Sequence, residues 1–192
     1  MFKKYIFIFS TLLISSNALA KWSLINDESS VNYVSIKSSK VGELNYFNKL
    51  SGTINDNGSL SVDIDLASIE TNIPVRNERV KSILFETASF TKANVLANLD
   101  LDKLDELNIG DTHTSPIKFK LSLHGASKEI TANIRVVKLT KNRLLALSLS
   151  PIIIDANQYN LSEGINKLRE VAKLPSISTT VPVSFSLIFD KK

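Results

Sequence analysis

Residues 60–66 read Leu-Ser-Val-Asp-Ile-Asp-Leu, so apolar and polar side chains alternate at every position. Successive side chains of a β-strand point to opposite faces of the sheet, and this run therefore predicts a strand with one buried face. Residues 117–123, Ile-Lys-Phe-Lys-Leu-Ser-Leu, repeat the pattern, and apolar residues occupy every second position from Val181 to Phe189. Together the three runs predict an all-β fold.

Weaker runs of the same kind bring the total to about nine, some of which merge or bend. Short turns separate them. Residues 56–58 (Asp-Asn-Gly) and the pair His124-Gly125 have the residue types that tight hairpins require. Consecutive strands joined by short turns form an antiparallel meander, since parallel strands need long crossover connections.

Two segments follow a helical period instead. Residues 75–85 place Val80, Ile83 and Leu84 on one face behind Pro74, a common first residue of a helix. Residues 162–172 show the same spacing. Both predict short amphipathic helices packed against the sheet.

An antiparallel sheet of this size must protect its edges, and closure into a barrel removes them. A barrel of about eight strands is either filled by its own side chains or holds one small ligand. A two-sheet sandwich would show the same strand pattern, although meander connections favour the barrel. We therefore predict an antiparallel barrel of about eight strands with two short helices.

The first twenty residues have the pattern of a secretory leader. Lys3 and Lys4 precede an apolar run at residues 5–14, and Ala18 and Ala20 supply the small residues of a cleavage site. We expect a signal peptide at residues 1–20, cleaved after Ala20, and one mature domain at residues 21–192.

Composition and charge exclude several classes of protein. Loss of Lys3 and Lys4 with the leader lowers the basic residues from 23 to 21 against 19 acidic ones, a net charge of +2 without the basic face of nucleic acid-binding proteins. The absence of cysteine excludes disulfides, thiol catalysis and zinc–thiolate sites. His113 and His124 lie eleven residues apart, which indicates no metal motif. We predict no catalytic residue, metal or cofactor.

Arg76 and Arg79 are the strongest candidates for a polar binding site, because residues three apart share one side of a helix. If this helix covers the mouth of a barrel, the two guanidinium groups can bind the phosphate or carbonyl head group of a ligand. In the alternative interpretation they remain in solvent, paired with Glu70, Glu78 or Glu86. The acidic residues at 100–106 lack the order of a calcium loop and are interpreted as a charged surface turn.

Five motifs in register resemble the YceI family of exported bacterial proteins. Trp22 and residues 29–31 (Ser-Ser-Val) match the opening strands, and residues 47–54 match a Phe…Gly-x-Ile stretch. Residues 68–71 (Ser-Ile-Glu-Thr) precede 76–81 (Arg-Asn-Glu-Arg-Val-Lys), and the hairpin at 121–128 completes the series. Asn77 and Thr91 depart from the family pattern, which has Asp and Pro there.

The resemblance implies a lipocalin-like barrel in the periplasm that binds a long isoprenoid or related amphiphile, such as a quinone or a polyprenyl phosphate, without catalysis. Arg76 and Arg79 would then bind the head group. The residues expected to line the tunnel are Phe47, Val62, Ile64, Phe85, Phe90, Phe119, Leu121, Val183 and Phe185. Expected partners are the lipid and, transiently, a membrane or membrane protein, with a homodimer left open and nucleic acid excluded.

Two alternatives remain at this point. A barrel filled by its own side chains would be an envelope interaction or structural module without a lipid ligand. A hydrolase or isomerase would need Asp, Glu or His side chains converging on a pocket. Space inside the barrel distinguishes the carrier from the first alternative.

Overall fold

The computed structural model of the protein describes residues 20–192. The predicted leader lies outside the described residues except for Ala20, with which the first strand begins. No helix within residues 20–192 combines the length and apolar character needed to cross a bilayer.

The strand segments of the described chain all belong to one sheet. They are β1 (Ala20–Leu24), β2 (Ser30–Lys37), β3 (Val41–Phe47), β4 (Leu50–Asn55), β5 (Ser59–Asp65), β6 (Ile69–Glu70), β7 (Lys92–Asn98), β8 (Thr112–Leu123), β9 (Ala126–Thr140), β10 (Arg143–Ser148), β11 (Ile152–Asp155) and β12 (Thr180–Lys191).

These segments combine into eight strands. β2 pairs with β3, and β1 pairs with β4. β1 and β2 are therefore the two halves of one long strand, and β3 and β4 are the two halves of the strand beside it. In the same way, β5 and β6 form one strand, because they pair with β4 and β3. β10 and β11 also form one strand, because both pair with β12. Every pairing is antiparallel, and β12 pairs with β1 and β2 to close the ring. The predicted barrel of about eight strands is confirmed.

The two predicted tight turns have the expected backbone. Gly58 lies at a φ of 82°, and His124 and Gly125 lie at 48° and 76°. Positive φ at both central residues matches the twist of the flanking strands in a two-residue hairpin. The hairpin between β8 and β9 follows this rule, with Ser122 opposite Ser127.

Both predicted helices are present, with different bounds. The first is α1 (Pro74–Arg79), continued by a π-helical turn at Val80–Leu84 in which the amide of Phe85 donates to the carbonyl of Val80. The acidic side chains at 100–106 lie at the surface as interpreted, but residues 101–105 form a one-turn helix, α2 (Leu101–Asp105), that buries Leu104. The second predicted helix is α3 (Ser162–Val171).

The helices distinguish the two ends of the barrel. α1, the π-helical turn and α3 lie beside the strand ends at Lys37, Glu70 and Leu123, and we call this the helical end. α3 packs closely there: a Cβ added at Gly164 would lie 2.7 Å from the carbonyl oxygen of Ile83. The opposite end, where α2 lies between β7 and β8, we call the polar end.

Candidate functional site

A cavity of about 490 Å³ occupies the interior of the barrel. The apolar positions of all three alternating runs line it: those at 60–66, at 117–123 and at 181–189. The alternation of apolar and polar residues therefore predicted the inward-facing side chains of these three runs correctly. The cavity reaches Phe85 and Ile165 at the helical end and Asn98 and His113 at the polar end.

The inner wall faces empty space. Phe119, Val183 and Phe185 line the cavity yet are only half-buried. Side chains in a filled core interdigitate and leave few voids larger than a water molecule. The partial exposure of inward-facing aromatic and aliphatic groups thus records a hollow interior, which contradicts the filled-barrel alternative.

Most residues predicted to line the tunnel are found in the wall. They are Phe47, Val62, Ile64, Phe85, Phe119, Leu121, Val183 and Phe185. Phe90 is not among the lining residues. Its ring instead packs on His124, with ring centroids 4.2 Å apart. Phe90 lies before β7, so the strand alternation that points Ala93 and Val95 into the cavity does not extend to it. The resemblance therefore placed Phe90 in the cavity wall incorrectly.

Three aromatic rings form the wall near the helical end. The ring centroids of Tyr33 and Phe47 are 5.9 Å apart, and those of Phe47 and Phe85 are 6.0 Å apart. Burial raises the pKa of the Tyr33 hydroxyl well above its usual range, and the charge of Arg76 opposes this only partly. Tyr33, which lines the cavity, therefore remains protonated at physiological pH.

Arg76 and Arg79 do not line the cavity. Arg76 binds the carboxylate of Glu43, which also binds Lys37, so its partner is none of the three glutamates considered from the sequence. Glu43 lies on β3, which pairs with β6, and α1 follows β6 in the chain, so this pairing brings Glu43 close to α1. Arg79 is exposed and has no ion pair within residues 20–192.

A hydrogen-bond network attaches α1 to the barrel. The side-chain oxygen of Asn77 accepts from the amide and the hydroxyl of Thr71 at 2.8 and 2.6 Å, and its amide donates to Glu70 at 3.0 Å. Asn77 and Thr71 are both buried. Since buried polar groups cost free energy unless they are paired, this network holds the helix over the end of the barrel.

The Glu43 cluster predicts an acid-dependent loss of stability. Burial opposes ionisation of Glu43, but the hydrogen bond and charge of Lys37 together with the charge of Arg76 outweigh it and lower the pKa of the carboxyl below its ordinary value of 4.5. A lowered pKa stabilises the fold above pH 4.5, and this stabilisation is lost as the pH falls through the folded-state pKa.

We expect Glu43→Gln to lower the free energy of unfolding by about 1 kcal/mol at pH 7, because it leaves two basic groups without their common partner. Urea unfolding of the two proteins from pH 7 to pH 3 measures the difference. The difference in the free energy of unfolding between the two proteins should disappear below pH 4.5. A difference that is constant across this range would contradict the assignment. Glu129→Gln is a suitable control, since Glu129 pairs with Lys118 at the surface, where both side chains are about two-thirds exposed.

The polar end carries side chains of a different kind. Asn98, Asp100, Lys103, His113 and Ser115 all line the cavity there. β8 begins at Thr112, five residues earlier than the predicted run, and its alternation turns His113 and Ser115 to the same side as Phe119. Extension of the period-two pattern backward from Ile117 would have identified both from the sequence.

The barrel wall has a gap at this end. β7 pairs with β8 only between Asn94–Ala97 and residues 119–122, whereas β8 pairs with β9 along its whole length. Within the described chain no strand covers the other edge of residues 112–118. Pro116, which has no amide donor and suits an unpaired edge, lies in this stretch. α2 borders this gap, and its residues Lys103 and Leu104 line the cavity there.

Asp100 and His113 are the carboxylate and imidazole side chains that line the cavity within residues 20–192. The carboxylate of Asp100 pairs with Lys103 at 3.3 Å. Nucleophilic catalysis requires a nucleophile hydrogen-bonded to its base. The described residues at this end contain no such pair.

A closed eight-stranded meander around an apolar cavity defines a lipocalin-like binding protein. Residues 22–189 match the YceI-like domain, so the chain belongs to the YceI family. No curated protein matches this chain.

Solved structures agree with the family. The chain is similar to a polyisoprenoid binding domain from Saccharophagus degradans implicated in plant cell wall breakdown, with 37% identity and a TM-score of 0.89 over 91% of this chain and 100% of that one. It also shares its fold with Burkholderia cenocepacia BcnA, at 19% identity and a TM-score of 0.65 over 86% and 98% of the two chains. The Campylobacter jejuni YCEI protein shares the fold at 12% identity and a TM-score of 0.55, over 77% and 84%.

Proposed function

We propose that the protein is an exported carrier that binds an isoprenoid lipid, such as a quinone or a polyprenyl phosphate, in the cavity of the barrel and performs no catalysis. The continuous apolar cavity is the observation that carries this proposal. The similarity to a polyisoprenoid binding domain at 37% identity supports the class of ligand.

The cavity suits a long tail. On β8 the lining residues run from His113 to Leu123, about 33 Å along the strand at roughly 3.3 Å per residue. A strand tilt of about 40° reduces this to about 25 Å along the barrel axis. That is more than the depth of one leaflet, about half of the 30 Å hydrocarbon core of a bilayer. Longer prenyl tails must bend or protrude through the gap at the polar end.

Apolar burial alone does not explain binding. Each buried methylene group contributes about 0.8 kcal/mol, but a bilayer offers the same contribution. The protein therefore gains little from the tail in competition with a membrane, and it acts as a shuttle that exchanges lipid with membranes. Ile109, which is 61% exposed, lies in the connection between β7 and β8 beside the gap and provides an apolar contact with a bilayer.

The function is tested on protein expressed from the full-length sequence in its own host and purified from that host. Native mass spectrometry followed by organic extraction should find one prenyl lipid per chain, and incubation with quinone-loaded vesicles should reload a stripped preparation. Empty preparations that also take up no lipid from vesicles would refute the carrier. Export predicts a mature chain that begins at Lys21 in the periplasmic fraction; an intact Met1 start there would contradict it.

A further inference from the structure

Three polar side chains at the polar end have unused hydrogen-bonding capacity. His113, Ser115 and Asn98 line the cavity, and no side-chain hydrogen bond links any of them to another residue within residues 20–192. His113 and Ser115 are also half-buried. An imidazole, a hydroxyl and an amide all donate hydrogen bonds, and such groups favour a ligand oxygen that accepts them. The gap in the barrel wall thus has hydrogen-bond donors on its inner side.

The charge around these donors is negative. Residues 98–115 contain a single lysine, for a formal charge of −4, and five acidic residues: Asp100, Asp102, Asp105, Glu106 and Asp111. The lysine, Lys103, is held by Asp100 at 3.3 Å. Lys138 of β9 donates to the carbonyl of Leu104 at 3.3 Å, and Arg135 of β9 donates to the hydroxyl of Thr114 at 3.2 Å; the two cations reduce the charge to −2. A phosphate entering here would meet net repulsion.

The basic groups of the helical end do not compensate. Lys37 and Arg76 are bound to Glu43, and neither of them nor Arg79 lines the cavity. The rings of Tyr33, Phe47 and Phe85 line the cavity at this end. Among the described residues, the paired Lys103 is thus the one lysine or arginine in the cavity wall that could meet a phosphate whose tail lies in the cavity.

We propose that the cavity selects an isoprenoid whose head group is uncharged and bears oxygen, a quinone or a prenyl alcohol, and that His113, Ser115 and Asn98 hold this head at the polar end. The inference rests on the proposed function and narrows its ligand class, because it separates the quinone from the polyprenyl phosphate. It also moves the head group away from Arg76 and Arg79.

Ligands with matched tails test the selection. Farnesol, farnesyl phosphate and a quinone with three isoprene units share one tail length and differ in the head. Calorimetric titration of the stripped mature protein at pH 8 should find the alcohol and the quinone bound at least 10-fold more tightly than the phosphate. The difference should narrow at high salt, because exposed charges are screened.

Variants locate the head group. The double variant His113→Ala, Ser115→Ala should weaken quinone binding about 5- to 20-fold, since it removes two hydrogen bonds. Asp102→Asn combined with Glu106→Gln should strengthen phosphate binding 2- to 5-fold at low salt, because both side chains are exposed and add negative charge beside the gap. Arg79→Gln is the matched control at the helical end and should change none of the three affinities.

The outcomes separate the inference from the function on which it rests. Tighter binding of farnesyl phosphate than of farnesol, weakened by Arg79→Gln, would overturn the inference and leave the carrier intact. The inference would also be overturned if the three ligands bound with equal affinity and the double variant His113→Ala, Ser115→Ala did not change these affinities. Failure of all three ligands to bind would refute the proposed function as well. The preference of the unmodified protein decides the question even if a variant does not fold.

Discussion

Val95→Trp should weaken the binding of a prenyl ligand at least 30-fold and leave the barrel folded. Val95 lies on β7 and lines the cavity, so an indole at this position enters space that the tail would occupy. Displacing about three buried methylene groups, at about 0.8 kcal/mol each, costs about 2.4 kcal/mol, or roughly 50-fold in affinity.

Leu96→Trp is the matched control. Leu96 is the next residue of the same strand, points to the opposite face and is 44% exposed. The same change of volume there should leave both affinity and stability unaltered. Titration with a short-tailed quinone and thermal unfolding measure the two effects. An equal loss of affinity in both variants would show that the tail does not lie inside the barrel.

Gly58→Ala should lower the free energy of unfolding by about 3 kcal/mol or more, because two costs coincide at this residue. Its φ of 82° disfavours any side chain, and a Cβ would lie 2.2 Å from the carbonyl oxygen of Leu99. To relieve the clash, the hairpin between β4 and β5 must move away from the end of β7. The hydrogen bond from the amide of Leu99 to the carbonyl of Gly58 is then lost.

Gly110→Ala isolates one of these costs. Gly110 has a φ of 92°, yet a Cβ there would meet nothing within 4 Å. Only the backbone penalty remains, about 1 kcal/mol. Urea unfolding of both variants gives the difference that is due to the contact with Leu99. Equal destabilisation of the two variants would contradict the predicted clash.

Local patterns predicted a large part of the wall. Alternation at 60–66, 117–123 and 181–189 selected side chains that all reach the cavity, because the two faces of a strand are determined by the backbone itself. The hairpin at His124-Gly125 was predicted for the same reason, since its conformation depends on a few adjacent residues. Phe90, which lies outside any alternating run, was assigned incorrectly.

Interactions across the barrel were not predictable in this way. The partner of Arg76 is Glu43, and the two residues meet only because β3 and α1 converge at the helical end. The polar end was missed because β8 is longer than its apolar run, so His113 and Ser115 were not assigned to a strand. α2 was interpreted as a turn, since one buried leucine in an acidic segment gives a weak helical signal.

The sequence by itself determined the all-β class, the antiparallel order of the strands and the inward-facing side chains of the three alternating runs, because each of these follows from period two and from short turns. Only the tertiary structure decided that the interior is hollow, that the basic helix is bound to β3 and that an acidic segment borders one end of the cavity. The volume of the cavity depends on the summed volumes of the inward-facing side chains of eight strands and on the register in which these strands pair. No local pattern contains that sum.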